Sequence, residues 1–363
     1  MIGARGSSLP ESVPLLVVRR GGSVESVHRG SVAVVSGDGR LLAAAGDPCW
    51  PVFLRSSAKP AQLVPFLAGG GERRFGLSTE EIALAAASHG GEPFHTRIAA
   101  AMLAKGGFTT ADLHCGAHPP KHEETARALD FRREEPSPLH NNCSGKHAAM
   151  LLACRLFGED AKTYCRPEHP LQKRILAALS RLAGVPVARI GMAVDGCSVP
   201  AFLIPLENLA LLYARLKGAR LPVEAPRAFA ARVRIVDAMT EAPEMVAGTG
   251  RFTTNLMRAF GGGLLAKEGA EGVYAVAVAP SPACALSGTS SVGIALKLED
   301  GAERGRDAVT VEVLRQLGLA SGPRLAALRR LALRPLKNVR GDVVGDMKTV
   351  FKLDRFTSGE RAE

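Results

Sequence analysis

From Leu15 to Leu42 the apolar and polar positions follow a period close to two. LLVVRR passes from apolar to basic, VESVHRGSVAVVS alternates, and a turn at Gly37-Asp38-Gly39 leads into LLAAAG. That pattern predicts a β-meander. PVFLRSSAKPAQLVPFLAGG then predicts a loop feeding a helix, with Ser56 at the N-cap or first turn and Pro60 tolerated just inside it. Between Ser78 and Gly218 the period becomes helical. STEEIALAAAS opens with a capping box, Ser78 followed three residues later by Glu81. HTRIAAAMLAKGG, HAAMLLACRLFG and LQKRILAALSRLAG carry the same apolar stripe, and each ends on glycine. RIGMAVDGCSVPAFLIP predicts a short buried strand running into a Gly-Cys turn. VYAVAVA and SVGIALKLED predict a second set of strands. A helix is expected from Asp307 to Leu319 and a last strand near Gly341 to Val350.

Strands at both ends around a helical middle predict an α/β fold with an antiparallel sheet lobe built from both chain ends and a largely helical lobe. The expected boundaries are a disordered lead-in over residues 1–14 and one catalytic unit over 15–353. Within that unit the α/β lobe takes about 15–55 and 265–353, and the helical lobe about 56–264. A flexible tail follows over 354–363. No internal repeat and no linker rich in Pro, Gly or Ser separates independent domains.

Composition adds exclusions. The 363 residues are 46% apolar and 22% charged, ordinary for a water-soluble globular chain. Aromatics are only 5%, with Trp50 the single tryptophan, which disfavours stacking on bases or sugars. No apolar run is long enough to span a bilayer, so no membrane partner is expected. Seven scattered cysteines (Cys49, Cys115, Cys143, Cys154, Cys165, Cys197 and Cys284) make no disulfide framework and favour a reducing, cytoplasmic setting. The net charge of +11 is spread widely and comes with no readout motif, so no specific nucleic-acid partner is expected.

Five places carry candidate chemistry. Ser56-Ser57-Ala58-Lys59 is an S-x-x-K; at a helix start the two ends share a face, and a neutral lysine could take the serine proton. The helix N-terminus adds N–H groups for an oxyanion. An N-cap serine beside a surface lysine is the bland alternative. Ser88 and His89 follow an apolar helix. The polar run HNNCSGKH, His140 to His147, immediately precedes another, although Ser144 could simply cap and Cys143 pack. Asp195 and Cys197 follow a strand. Lys267 lies in a Gly-rich stretch before one, where it could merely steady a turn.

RSSAKPAQ, ASHGGEPFH, CGAHPP, HNNCSGKHAAML, DGCSVPAF, GTGRF and KEGAEGVY occur in the order and approximate spacing of the Rhizobium-type (class 3) zinc-containing L-asparaginases, and from about Leu15 to Val350 the chain resembles that family. One block departs from it: Gly90 stands where the family has serine. The resemblance implies a fold similar to serine β-lactamases and serine-dependent glutaminases. It implies Ser56 as nucleophile with Lys59 as its base, and Ser88 with Lys267 as a second Ser-Lys tandem. It implies Zn2+ held by Cys143, Lys146 and Cys197 with Asp195 close by. A lysine must be neutral to ligate, and zinc would lower its pKa. Arg55, His89, Asn142 and His147, together with Asp195, are expected to bind substrate or support the site. The implied activity is hydrolysis of L-asparagine, a small-molecule substrate, to L-aspartate and ammonia by a homodimer. The alternatives are a glutaminase, a penicillin-recognising acyltransferase or peptidase, and a non-catalytic zinc- or nucleic-acid-binding protein.

Overall fold

The computed structural model describes residues 11–279 and 291–356. Residues 1–10 of the expected lead-in, residues 357–363 of the expected tail, and Cys284 lie outside the described residues. The chain divides into two compact units. One comprises Met1–Leu54, Ile204–Ala219 and Glu268–Glu363; the other comprises Arg55–Leu203 and Arg220–Lys267.

The first unit is built on an antiparallel sheet. Strands run in the spatial order Leu336–Lys337, Val343–Thr349, Val13–Arg20, Ser23–Ser36, Val292–Leu298 and Val273–Val278. Ser23–Ser36 is long enough to serve several neighbours. Its first part pairs with Val13–Arg20 in the register Val17↔Val27, and its second part pairs with Val292–Leu298 in the register Ala33↔Ala295. Leu41–Ala45 also pairs with that second part, and Asp354–Arg355 pairs with Leu41–Ala45. Val273–Val278 is buried at every position. A strand buried at consecutive residues needs cover on both faces, and helices Leu206–Lys217 and Glu303–Gln316 both pack against this sheet. The first of these comes from the middle of the helical stretch, yet it belongs with the sheet. Its residues Leu209, Ala210, Leu212, Tyr213 and Leu216 are buried. At Gly293 the strand meets it so closely that a Cβ there would collide with the Ala210 carbonyl oxygen.

The second unit is largely helical. Helix Ser144–Phe157 is buried from Ser144 through Cys154. It packs against helices Lys59–Ala68, Thr79–Ala85 and Pro93–Lys105. The capping box at Ser78 and Glu81 is formed, and Gly158 and Gly184 close their helices in the left-handed conformation. RIGMAVDGCSVPAFLIP is a hairpin rather than one buried strand. Gly191–Val194 pairs antiparallel with residues 200–203, and Val194 is 72% exposed while Phe202 is buried. Singly exposed apolar side chains are common, so the apolar run alone misassigned the buried half. No helix among the described residues is long and apolar enough to cross a membrane.

Candidate active site

The S-x-x-K sits where the chain turns into a helix. Arg55–Ala58 forms a 3-10 turn, and Lys59–Ala68 continues as α-helix with Pro60 in its first turn. Arg55 adopts φ of +49°, a left-handed conformation that costs a non-glycine residue roughly 1–2 kcal/mol. Its guanidinium pairs with Asp195, with Nε at 3.1 Å and Nη2 at 3.0 Å from Oδ1. Ser56 is half-buried. Lys59, the first residue of the helix, is buried.

A buried amine needs hydrogen-bond partners, and those of Lys59 do not include Ser56. Its Nζ donates to the Ala87 carbonyl, to Ser88 Oγ at 3.1 Å and to the Asn142 carbonyl at 3.4 Å. The anticipated Ser56–Lys59 hydrogen bond is not formed among the described residues. Instead the two expected tandems meet at Ser88. Lys267 Nζ also reaches Ser88 Oγ, at 2.7 Å. Ser88 follows helix Thr79–Ala85 and is fixed by its N–H bond to the Val246 carbonyl at 2.9 Å. Lys267 is not in a turn. It lies in strand Leu264–Glu268 and is fully buried. Burial, reinforced by the Lys146 charge and opposed by the neighbouring thiols, pushes the Lys59 amine below its ordinary value. That direction favours a neutral amine able to act as a base.

A second cluster adjoins the first. Cys143 caps helix Ser144–Phe157, which carries Lys146 one turn on. Cys197 is presented by the Asp195–Val199 turn, where the Asp195 N–H bonds to the Val199 carbonyl and Ser198 adopts φ of +74°. Lys146 Nζ lies 2.9 Å from Cys197 Sγ, and Cys197 is hydrogen-bonded to Cys143. That bond first, then the charge on Lys146, hold the Cys143 thiol well below its usual range against the opposing effect of burial. The same bond and burial push Cys197 up. Burial alone would lower Lys146, but Cys143, Cys197 and Asp195 raise it. Two buried sulfurs and an amine nitrogen converging in one place form a donor set suited to a borderline-soft cation such as Zn2+.

The flanking residues are ordered by specific bonds. His89 accepts the Gly91 N–H at Nδ1, 3.1 Å, and its Nε2 lies 3.0 Å from Ser144 Oγ. Burial holds it well below the normal histidine range, and therefore neutral. His147 Nδ1 bonds to the Tyr164 hydroxyl at 2.6 Å, and burial keeps this ring neutral too. Asn142 Oδ1 lies 3.2 Å from Cys143 Sγ. Sequence reasoning missed three residues. Asn141 accepts the Cys143 N–H at 2.9 Å and donates to the Cys115 carbonyl at 2.9 Å. Glu92 accepts the Thr249 N–H at 2.8 Å, joining the GGE and GTG blocks. Asn141 and Glu92 stood inside quoted motifs, whereas Tyr164 carried no local signal.

Among solved structures the chain is similar to Mglu in its native form, at 17% identity over 84% of this chain and 63% of that chain, with a TM-score of 0.40. It is likewise similar to a probable glutaminase of Bacillus subtilis, at 16% identity over 80% of this chain and 89% of that chain, with a TM-score of 0.36. The chain therefore spans less than two thirds of the length of Mglu. No curated protein matches it. The model of the L-asparaginase II family matches residues 16–349, nearly the whole chain with every residue of both clusters, and the chain belongs to that family.

Proposed function

We propose that this chain is an amidohydrolase that converts L-asparagine to L-aspartate and ammonia through a serine acyl-enzyme. Family membership supports an amidohydrolase of asparagine or glutamine. The observation that carries the mechanism is Ser88 Oγ between two buried lysines, at 3.1 Å from Lys59 and 2.7 Å from Lys267. Ser56 is the accessible hydroxyl and attacks the side-chain amide carbon. Its proton passes to the neutral amine of Lys59, and the Lys59–Ser88–Lys267 chain returns one to the departing nitrogen as ammonia. Water then attacks the ester, the same base accepts its proton and returns it to the departing Ser56 Oγ, and aspartate leaves with both groups restored. Backbone N–H groups at the start of the Lys59–Ala68 helix, Pro60 excepted, would be the donors for the oxyanion. A second reading makes Ser88 the nucleophile, favoured by its two lysine contacts but opposed by its burial, at 2% exposure.

Cys143, Lys146 and Cys197 would hold a zinc ion. When bound, it would supply a Lewis-acidic anchor for the α-amino-acid end of the substrate. Arg55 and Asp195 orient the turn that carries Ser56, and Asn142 and His147 brace the first turn of the neighbouring helix.

The test is ammonia release from asparagine and glutamine, with a β-lactam as a third substrate, by the parent protein, Ser56→Ala and Ser88→Ala. Loss of a nucleophile commonly costs ~10⁴-fold or more. The expected result is asparagine turnover that falls by this factor in Ser56→Ala, with a labelled acyl-enzyme trapped on Ser56. A Ser56→Ala protein that keeps more than about a tenth of the parent rate moves the nucleophile to Ser88. Silence on all three substrates overturns the enzymatic reading.

A further inference from the structure

We propose a second metal site, distinct from the Cys143 cluster, in which Cys154, Glu159 and His169 bind a borderline-soft divalent cation of the Zn2+ type. The three residues come together because of how one helix ends. Gly158, at φ of +67°, closes helix Ser144–Phe157 in the left-handed conformation. The Glu159 N–H turns back to the Cys154 carbonyl at 2.9 Å, which lays the glutamate beside the cysteine one turn earlier. His169 arrives as the N-cap of the next helix, Pro170–Ala183. One ligand atom from each, Cys Sγ, a carboxylate oxygen and an imidazole nitrogen, lies within 4.8 Å of the other two. Zinc bonds of 2.0–2.3 Å require ligand–ligand edges of roughly 3.3–3.7 Å, so small side-chain rotations close the site.

Two details point to a ligand rather than to chance proximity. Glu159 is only 9% exposed, and its Oε1 is engaged by Arg174 at 3.1 Å, yet its buried Oε2 has no hydrogen-bond partner. That oxygen faces His169 Nδ1 at 4.0 Å. A buried carboxylate oxygen without a partner is costly, and a cation would satisfy it. His169 is also in the tautomer a metal needs. Its Nε2–H donates to the Asp160 carbonyl at 3.0 Å, leaving the Nδ1 lone pair on the inner side. That lone pair accepts the Leu171 N–H at 3.1 Å, a contact the ion would replace. On binding, the Cys154 thiol releases its proton to solvent. One thiolate and one carboxylate then neutralise the dication, and a water completes a tetrahedron. Burial and Glu159 hold the free thiol up at about 12, so uptake of metal is accompanied by loss of that proton. The ion would pin the end of the helix that carries Lys146 to the start of the next.

The experiment is Co2+ titration of metal-free, full-length protein. Stoichiometry is read by elemental analysis, the thiolate-to-cobalt charge-transfer band by absorption, and folding by circular dichroism. The Cys143→Ser/Cys197→Ser double variant is expected to keep one Co2+ with a single-thiolate band. Adding Cys154→Ala should abolish both. Glu159→Gln, which preserves shape, should weaken this Co2+ at least tenfold, and His169→Asn, which retains the helix cap, should do the same. A folded double variant that takes up no Co2+ overturns the proposal, as does a band indifferent to both Cys154→Ala and Glu159→Gln. If the parent binds a single ion that survives the double variant and is lost with Cys154→Ala, this site stands and the zinc reading of the Cys143 cluster falls.

Discussion

Lys59 and Lys267 each bring an amine to the same hydroxyl, and only Lys267 comes from a strand. Lys267→Met keeps the stem and removes the donor 2.7 Å from Ser88 Oγ. If the second lysine takes part in proton return, asparagine turnover should fall by ~10²-fold or more. An unchanged rate in steady-state assays would leave Lys59 working with Ser56 alone. Gly90 tests the other direction. Its φ is not in the left-handed region, and a Cβ there would meet Glu92 Oε1 and His122 Cβ at 3.4 Å, ordinary contact. Gly90→Ser should therefore fold normally and change stability by less than about 1 kcal/mol in urea unfolding. A larger loss would mean that the loop needs glycine for a reason other than space.

Helix Ser144–Phe157 is the element on which both proposed metal sites depend, and Gly145 sets how closely it approaches helix Thr79–Ala85. A Cβ at 145 would overlap the Leu84 carbonyl oxygen and Leu84 Cγ. Backbone cannot yield as a side-chain tip does, so Gly145→Ala should cost about 1–3 kcal/mol despite alanine's better helix propensity. The check is the urea midpoint; an equal or higher midpoint would show that the helix pair separates freely. The apolar stripe and terminal glycine of this helix were legible in HAAMLLACRLFG because they depend on residues a turn apart; its start was not, since Ser144 is the first helical residue and Cys143 holds the cap position. The Ser56, Ser88 and Cys143 blocks were legible for the same reason: each is a local run of polar groups beside an apolar helix. What could not be read was non-local. Nothing near Lys59 announced that its amine would turn to Ser88, 29 residues on. KEGAEG looked like a turn because its glycines follow Lys267, whereas the strand Leu264–Glu268 ends just after it. Residues 206–217 lay inside the stretch whose period is mostly helical, but their grouping with the sheet rests on a glycine 83 positions beyond Ala210, at Gly293.

The whole molecule should lose stability as acid is added, and His95 supplies a definite part of the loss. It lies in helix Pro93–Lys105 and is fully buried. Its Nδ1 accepts the Glu92 N–H at 3.1 Å, and its Nε2–H donates to the Glu244 carbonyl at 2.9 Å. Protonation at Nδ1 would replace the first bond with two opposed donors. Burial pushes the ring down from 6.5 to about 4, Glu92 opposes the shift, and His122 adds a smaller push downward. In the unfolded chain the same ring titrates near its ordinary 6.5. Between these values the unfolded state holds more protons than the folded one. The contribution is therefore fully present above about pH 6.5 and declines as pH falls toward 4, by up to about 3 kcal/mol. Urea unfolding at pH 7.5 and pH 5.0 measures it. The parent should lose about 2 kcal/mol through this residue over that interval. His95→Gln should be less stable at pH 7.5 but should show a pH dependence shallower by close to one proton. Parallel pH profiles for the two proteins would mean that His95 is not held neutral on folding and that the acid sensitivity of this chain arises elsewhere.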